Sequence, residues 1–433
     1  MAAPGALERL LAGRFSDPDG AGTLEIATRH VVIASGLAGQ EEALLSAAGL
    51  GGRRWAVVSD ENTHPILGAR VAEGLLPAAT IVLQKPHADA ETVARLQAET
   101  AAADALLAVG SGTINDLCKY AAFLDRKPYA VFGTAPSMNG YTSPTAAIAV
   151  HGHKRSLPAA APAAVFLDLN ILARAPVRLI RSGLGDSVCR STAQADWLLA
   201  HLLRDEPYRE APFALLAEDE DRLFAVSGNL LRGDLDAMLL LARALVLSGF
   251  GMAICGSSKP ASQGEHLISH YVDMTGDPAW PPNFHGEQIG VATLTMARLQ
   301  EAMLTAPAPR LYPSERNRDA LLAQFGPQLG EACWSEFAKK RLDKEAAAAI
   351  SARAAARWPE IRHRIGAIRR PMRELEGALR RAGAPTTPAA LGWPPAFYRQ
   401  AVRHAREIRN RWTFLDLAAD TGVFGASDAA ALA

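Results

Sequence analysis

Charge of one sign is missing from this sequence. Over 433 residues, 45 lysines and arginines balance 45 aspartates and glutamates. No net field points to nucleic acid or to an anionic membrane surface as a partner. Cysteine is scarce. Cys118, Cys189, Cys255 and Cys333 show no paired spacing, which argues against a disulfide scaffold or a cysteine cluster and suits a reducing, cytoplasmic compartment. The start from Met1 to Leu11 has alanines but no lysine-rich stretch followed by a clean apolar core, so it does not read as a secretory signal. Long hydrophobic runs are also lacking. The longest, Ala237 to Cys255, contains Arg243 and is broken by Gly249 and Gly251. A charge in mid-bilayer costs roughly 2.5–3.5 kcal/mol even on permissive scales, so a buried helix is expected there and no membrane insertion. There is no internal repeat.

What is present is an ordinary globular composition, 49% apolar and 21% charged, with length enough for two domains. Short apolar runs at 54–59, 79–83, 105–109 and 129–132 alternate with helical stretches at 65–72, 89–100 and 113–124. Continuous apolar character fits strands covered on both faces, and the alternation predicts a parallel, doubly wound α/β sheet. The run 29–33 is an edge-strand candidate; 145–150 and 164–167 are further strands. From Pro176 onward long helical patterns replace short strands. The expectation is an α/β dinucleotide-binding domain over 1–177 and an all-helical metal- and substrate-binding domain over 178–433.

The turn Gly110-Ser111-Gly112-Thr113-Ile114-Asn115-Asp116 joins a strand to a helix. Glycine admits a ligand close to the backbone and tolerates positive φ, and the helix start offers unpaired amides to an anion. A pyrophosphate fits; a plain tight turn is the bland alternative. The turn is neither the usual Gly-x-Gly-x-x-Gly fingerprint nor a Walker loop, which disfavours an ordinary nucleotide kinase. Asp60, at the end of an earlier strand, can accept from both ribose hydroxyls and would repel a 2′-phosphate, or it can simply be a helix N-cap with no ligand. Thr134 and Ser137, in Thr134-Ala135-Pro136-Ser137-Met138-Asn139-Gly140-Tyr141, can donate to a phosphate or a carboxamide, and Asn139 can hold a substrate hydroxyl. His151-Gly152-His153-Lys154-Arg155 reads as an exposed hairpin.

The stretch Lys259 to Gln288 holds the clearest chemistry. His266 and His270 are four apart and share a helix face; His285 returns after a proline-rich loop. Glu265 precedes the first histidine, so the order is not that of a zincin. Two imidazoles with one carboxylate suit a borderline divalent metal and leave a position open. Asp186, in Gly183-Leu184-Gly185-Asp186, is the carboxylate candidate, expected at a helix start. His266 and His285 are expected as ligands, and His270 as an outer partner or proton relay. Capping or surface roles are the alternative. Lys259, Lys154 and Arg155 are candidate cations for a substrate phosphate, Lys259 foremost because its loop leads to His266. The arginines of Ile408-Arg409-Asn410-Arg411-Trp412-Thr413 read as packing and pairing groups.

These motifs resemble the glycerol-1-phosphate dehydrogenase family, within the wider group of iron-containing alcohol dehydrogenases and dehydroquinate synthases. The carriers are Gly110–Asp116, Thr134–Tyr141, Ser182–Asp186, Ser257–His266 and His285-Gly286-Glu287-Gln288. The closing Arg409–Leu417 segment resembles the bacterial branch. The resemblance implies a dehydroquinate synthase-like fold with catalysis between a nucleotide domain and a helical domain. It implies metal ligands at Asp186, His266 and His285, and cofactor contacts at Asp60, Gly110, Gly112, Thr113, Asp116, Thr134 and Ser137. It further implies one zinc, nickel or iron ion, NAD(H) or NADP(H), dihydroxyacetone phosphate as substrate, and a homodimer. Two positions depart from the family: Asn139 stands where aspartate is usual, and Gln263 precedes Gly264-Glu265-His266. They leave another polyol or polyol phosphate, or a non-catalytic binding or sensor homologue, as alternatives. A dehydroquinate synthase-type lyase would need a dense basic cluster that the sequence does not place.

Overall fold

The computed structural model describes residues 4–150 and 153–423. It has an N-terminal α/β region of Rossmann-like character and a C-terminal helical region, the arrangement of the dehydroquinate synthase-like fold. The chain divides into two compact units: Met1–Ser187 with Glu210–Ser257, and Val188–Arg209 with Ser258–Ala433.

The first unit is built on a six-stranded sheet. Its strands are β1 (His30–Ala34), β2 (Trp55–Asp60), β3 (Ala79–Leu83), β4 (Ala105–Gly110), β5 (Tyr129–Gly133) and, after a separate hairpin, β8 (Ala164–Asp168), in spatial order β1-β8-β5-β4-β2-β3. All pairs are parallel. Every residue of β4, β5 and β8 is buried, which is why these strands read as unbroken apolar runs. The 29–33 run does form an edge strand. The 145–150 run does not join the sheet: β6 (Thr145–Val150) pairs antiparallel with β7 (His153–Pro158) in its own hairpin. Of the segment expected as an exposed hairpin, His151, Gly152 and the side chains of His153, Lys154 and Arg155 lie outside the described residues.

Helix Leu235–Cys255 also belongs to the first unit. By length and composition it could cross a membrane, with mean hydropathy 2.0, but 67% of that window is buried inside the protein. Arg243, the charge within it, is paired with Asp219 at 2.8 Å and with Glu8 at 2.6 Å. The helix packs on the Asn139–Thr142 turn, where Thr142 donates to the Val246 carbonyl at 2.7 Å. A Cβ on Gly249 would meet Thr142 Oγ1 at 2.1 Å. The glycine that interrupts the apolar run is therefore what admits this turn.

The second unit is helical throughout its described residues. Helices Arg190–Arg204, Gly264–Thr275, His285–Thr305 and Lys344–Ile368 share one core with residues such as Leu199, Ile268, Met296, Trp358 and Trp412. Gly264 admits the close packing at the helix start, since a Cβ there would lie 2.4 Å from Met296 Cε.

Candidate active site

In the first unit, Gly110 closes β4 and Gly112 opens helix Gly112–Leu124. Neither glycine has positive φ. At Gly110 the need is space, since a Cβ would lie 2.7 Å from Ile114 Cβ. No side chain caps this helix at Ser111, and among the described residues the Gly112, Thr113 and Ile114 amides donate to no protein acceptor. The first-turn hydrogens are thus available to an anion.

Asp116 faces inward. Its Oδ2 accepts from the Ala147 amide at 3.0 Å, its Oδ1 from Asn115 Nδ2 at 3.1 Å, and Lys119 Nζ stands 3.7 Å away. Fully buried Lys119 donates to the carbonyls of Gly140 and Thr145. Burial pushes its ammonium down, and the Asp116 carboxylate opposes that. Asp116 and Lys119 therefore fix the loop beyond β5. Asp60 acts as a turn cap: its Oδ1 accepts from the amides of Asn62 and Thr63 at 2.9 and 2.7 Å. Its second oxygen accepts no hydrogen bond among the described residues. Thr134 and Ser137 are buried after β5, and their hydroxyls likewise bond to no protein group among those residues.

Asp186 is not at a helix start, as the sequence suggested, but in the last turn of helix Val177–Val188. Gly183 and Gly185 looked like a break. Instead Gly183 lets the helix meet the Pro136 carbonyl, which a Cβ would approach at 1.7 Å. A helix C-terminus disfavours a carboxylate; the Asn139 amide opposes this by donating to Asp186 Oδ2 at 2.8 Å. Asn139 Nδ2 donates to Ser248 Oγ at 3.2 Å. An aspartate at 139 would set a second carboxylate near the first, so asparagine lowers the local negative charge.

In the second unit, three histidines surround one point. Ring centroids are 5.1 Å apart for His266 and His285, 6.1 Å for His266 and His270, and 6.2 Å for His270 and His285. His266 is buried, the other two half-buried. His266 and His270 lie on helix Gly264–Thr275, and His285 opens helix His285–Thr305. Gln288 ties these helices together, accepting from Ser269 Oγ at 2.7 Å and donating to Asp273 at 3.1 Å. Glu287 accepts from the Phe284 amide at 2.9 Å and caps its own helix.

Sequence reasoning passed over Glu265. Its Oε1 lies 2.9 Å from His266 Nδ1 and accepts from the Gln263 amide at 2.7 Å; Oε2 accepts from Thr192 Oγ1 at 3.1 Å. Burial would raise the Glu265 carboxyl, but His266 and the Gln263 and Glu265 amides outweigh it and leave it lowered. A carboxylate on Nδ1 turns Nε2 outward as the ligand nitrogen, the usual partner of a metal-bound imidazole. Behind it stands Asp196, also missed, accepting from Gly264 N, Phe414 N and Gln300 Nε2 at 2.9, 3.0 and 3.2 Å. Burial, then the Glu265 charge, push Asp196 up to about 8. Its signal was a lone acid inside the apolar stretch Ala195–Ala200. Cys189, Glu265 and His266 are all buried and place ligand atoms within 4.8 Å of one another. These donors could hold a divalent metal ion.

Lys259 is paired with Glu206 at 2.9 Å. Gln263 does not project outward; its Nε2 donates back to the Lys259 carbonyl at 2.9 Å.

The iron-containing alcohol dehydrogenase family profile matches residues 32–176. Glycerol-1-phosphate dehydrogenase [NAD(P)+] of Bacillus velezensis is 28% identical over 375 residues, covering 83% of this chain and 84% of the relative. The protein of the same name from Thermococcus kodakarensis is 32% identical over 277 residues, covering 63% of this chain and 77% of the relative. The chain belongs to the bacterial glycerol-1-phosphate dehydrogenase branch of the iron-containing alcohol dehydrogenase superfamily. A crystal structure of maleylacetate reductase from a Rhizobium species superposes with TM-score 0.59 at 16% identity, covering 92% of this chain and 98% of that one, and shares the fold. Family membership and the cluster of possible metal donors together support an oxidoreductase-type enzyme.

Proposed function

We propose that the protein interconverts dihydroxyacetone phosphate and sn-glycerol 1-phosphate with NADH or NADPH. The observation that carries the reading is the histidine cluster with Glu265 behind His266. On this reading Asp186, His266 and His285 hold one zinc, nickel or iron ion, and the donor chemistry fits all three. A divalent metal held there would supply charge stabilisation for the oxygen of a ketone being reduced, an effect of several kcal/mol, and a bound nicotinamide would supply the hydride. Glu265 keeps His266 in the ligating tautomer, and His270 moves a proton at the edge of the cluster. The open amides at Gly112 and Thr113 take the cofactor phosphates, with Asp60 Oδ2 toward the ribose and Thr134 and Ser137 toward the carboxamide. Gly110 leaves room for Ile114 in the first turn of that helix, and Asp116 holds the surrounding loop. The protein works as a homodimer in the cytoplasm.

The pairing of Lys259 with Glu206 favours a second reading, in which the substrate is an unphosphorylated polyol. Following reduced nicotinamide by absorbance, with dihydroxyacetone phosphate and dihydroxyacetone offered separately, tests both. Faster turnover of the phosphate supports the first reading; equal rates sink it. No turnover of any polyol or polyol phosphate with any of the three metals would leave a binding homologue.

A further inference from the structure

In the second unit, the loop that leads to His266 is held by a guanidinium from the far end of the sequence. Arg411 Nη1 donates to Ser262 Oγ at 2.6 Å and also to the Ser262 carbonyl; Nη2 donates to Ser258 Oγ at 2.6 Å. The two serines flank Lys259-Pro260-Ala261, and Ser262 stands four residues before His266.

Three features mark this cluster. First, Arg411 bonds to no carboxylate among the described residues, and neither does half-buried Arg409 nearby. Other buried cations here do: Lys340 with Asp416 at 2.9 Å, Arg406 with Asp420 at 2.8 Å, Arg243 with Asp219 at 2.8 Å. A charge drawn from water without a bonded carboxylate is costly; the neighbouring Arg409 guanidinium repels Arg411, and the Glu265 charge opposes this only through space. Burial and the Arg409 charge lower Arg411 to about 9, so it stays charged at neutral pH. Second, a hydroxyl both accepts and donates. Ser258 and Ser262 accept from Arg411, and among the described residues neither hydroxyl donates to a protein acceptor. Arg411 thus fixes two hydroxyls whose hydrogens remain available. Third, Lys259, the other cation of the loop, is neutralised by Glu206.

Fixed hydroxyl donors backed by positive charge suit the dianion of a phosphate monoester. We propose that Ser258 and Ser262, oriented and backed by Arg411 with Arg409, bind the phosphate end of the substrate, and that Lys259 does not. This rests on the reading of the His266 cluster as the reacting centre.

The test uses the metal-loaded full chain and two readouts. Inorganic phosphate is titrated calorimetrically into wild type, the Ser258→Ala/Ser262→Ala double variant, Arg411→Gln and Lys259→Ala. The kcat/KM ratio of dihydroxyacetone phosphate to dihydroxyacetone is then compared in the same proteins. Phosphate affinity and the ratio should both fall about tenfold or more in the serine variant, with metal content retained, and change less than about twofold in Lys259→Ala. Arg411→Gln should behave as the serine variant does; should it not fold, the serine variant alone decides. Unchanged phosphate binding in the serine variant, loss confined to Lys259→Ala, or no phosphate binding by wild type overturns the inference. If phosphate binds through the serines but no phosphorylated triose is turned over, the proposed reaction fails and this site stands. If the phosphorylated triose is preferred equally by wild type and the serine variant, the reaction stands and this site fails.

Discussion

Two helices of this chain begin at glycine, Gly112 in the first unit and Gly264 in the second, and their first turns treat the backbone amides differently. At Gly112 no protein side chain receives the first-turn amide hydrogens among the described residues. At Gly264 two buried acids do: Asp196 takes the Gly264 amide and Glu265 takes the amide of Gln263, just before the helix. The first end keeps its positive potential and suits an anion. The second has drawn the negative charge of Glu265 inward and turned it onto His266, which suits a cation. On the proposed reading, one local device would serve a phosphate-bearing cofactor in one unit and a metal in the other, with the difference lying in which acids pack behind the turn.

The comparison breaks most completely at the imidazoles. His266→Ala should abolish stoichiometric metal binding and lower turnover by about a thousandfold, the scale of losing several kcal/mol of charge stabilisation. Metal analysis of the purified variant beside its circular dichroism checks this; a folded variant with full metal occupancy would refute the ligand assignment. One step outward, Glu265→Gln keeps the shape but weakens the hold on His266 Nδ1. Metal affinity should fall roughly 10–100-fold, read by competition with a chelator.

The first-unit half of the contrast is sharpened by adding the charge that the second unit already has. Gly112→Asp fits sterically, because a Cβ there meets Met138 Cγ at an ordinary 3.5 Å. It should raise KM for the reduced nicotinamide cofactor about tenfold, since a helix-end charge contributes roughly 1 kcal/mol or more in a partly buried site. Metal content should not change; an unaltered KM would remove this turn from the cofactor site.

A pH-dependent effect on stability is expected at Asp196. Its folded pKa of about 8 lies above the ordinary carboxylate value, so between about pH 4 and 8 the folded state binds the extra proton. Stability therefore decreases as pH rises through that window, by at most about 1.4 kcal/mol per pH unit for one proton. Asp196→Asn removes the titration. The stability gap between wild type and variant should move against wild type as pH rises from 4 to 8, in urea melts at stepped pH.

Much of this was legible in the sequence. The buried strands announced themselves as apolar runs because both faces are covered. His266, His270 and His285 were recognisable from helical spacing and a proline-rich return. The rest depended on side-chain packing over long sequence separations. That Asp196 sits behind Gly264, 68 residues apart, or that Arg411 reaches Ser262, 149 residues apart, has no local signature. The roles of Gly183 and Gly249 were hidden because sequence records the missing side chain but not the carbonyl or loop that occupies its place. β6 read as a sheet strand because its alternation does not say which partner it will have.

The central claim, metal-dependent nicotinamide-linked reduction, is tested most directly by watching NADH absorbance with dihydroxyacetone phosphate before chelation, after chelation, and after adding back zinc, nickel or iron. The account predicts that oxidation of NADH stops when the metal is removed and resumes when at least one of the three is restored. Undiminished oxidation in protein shown to be metal-free would contradict it.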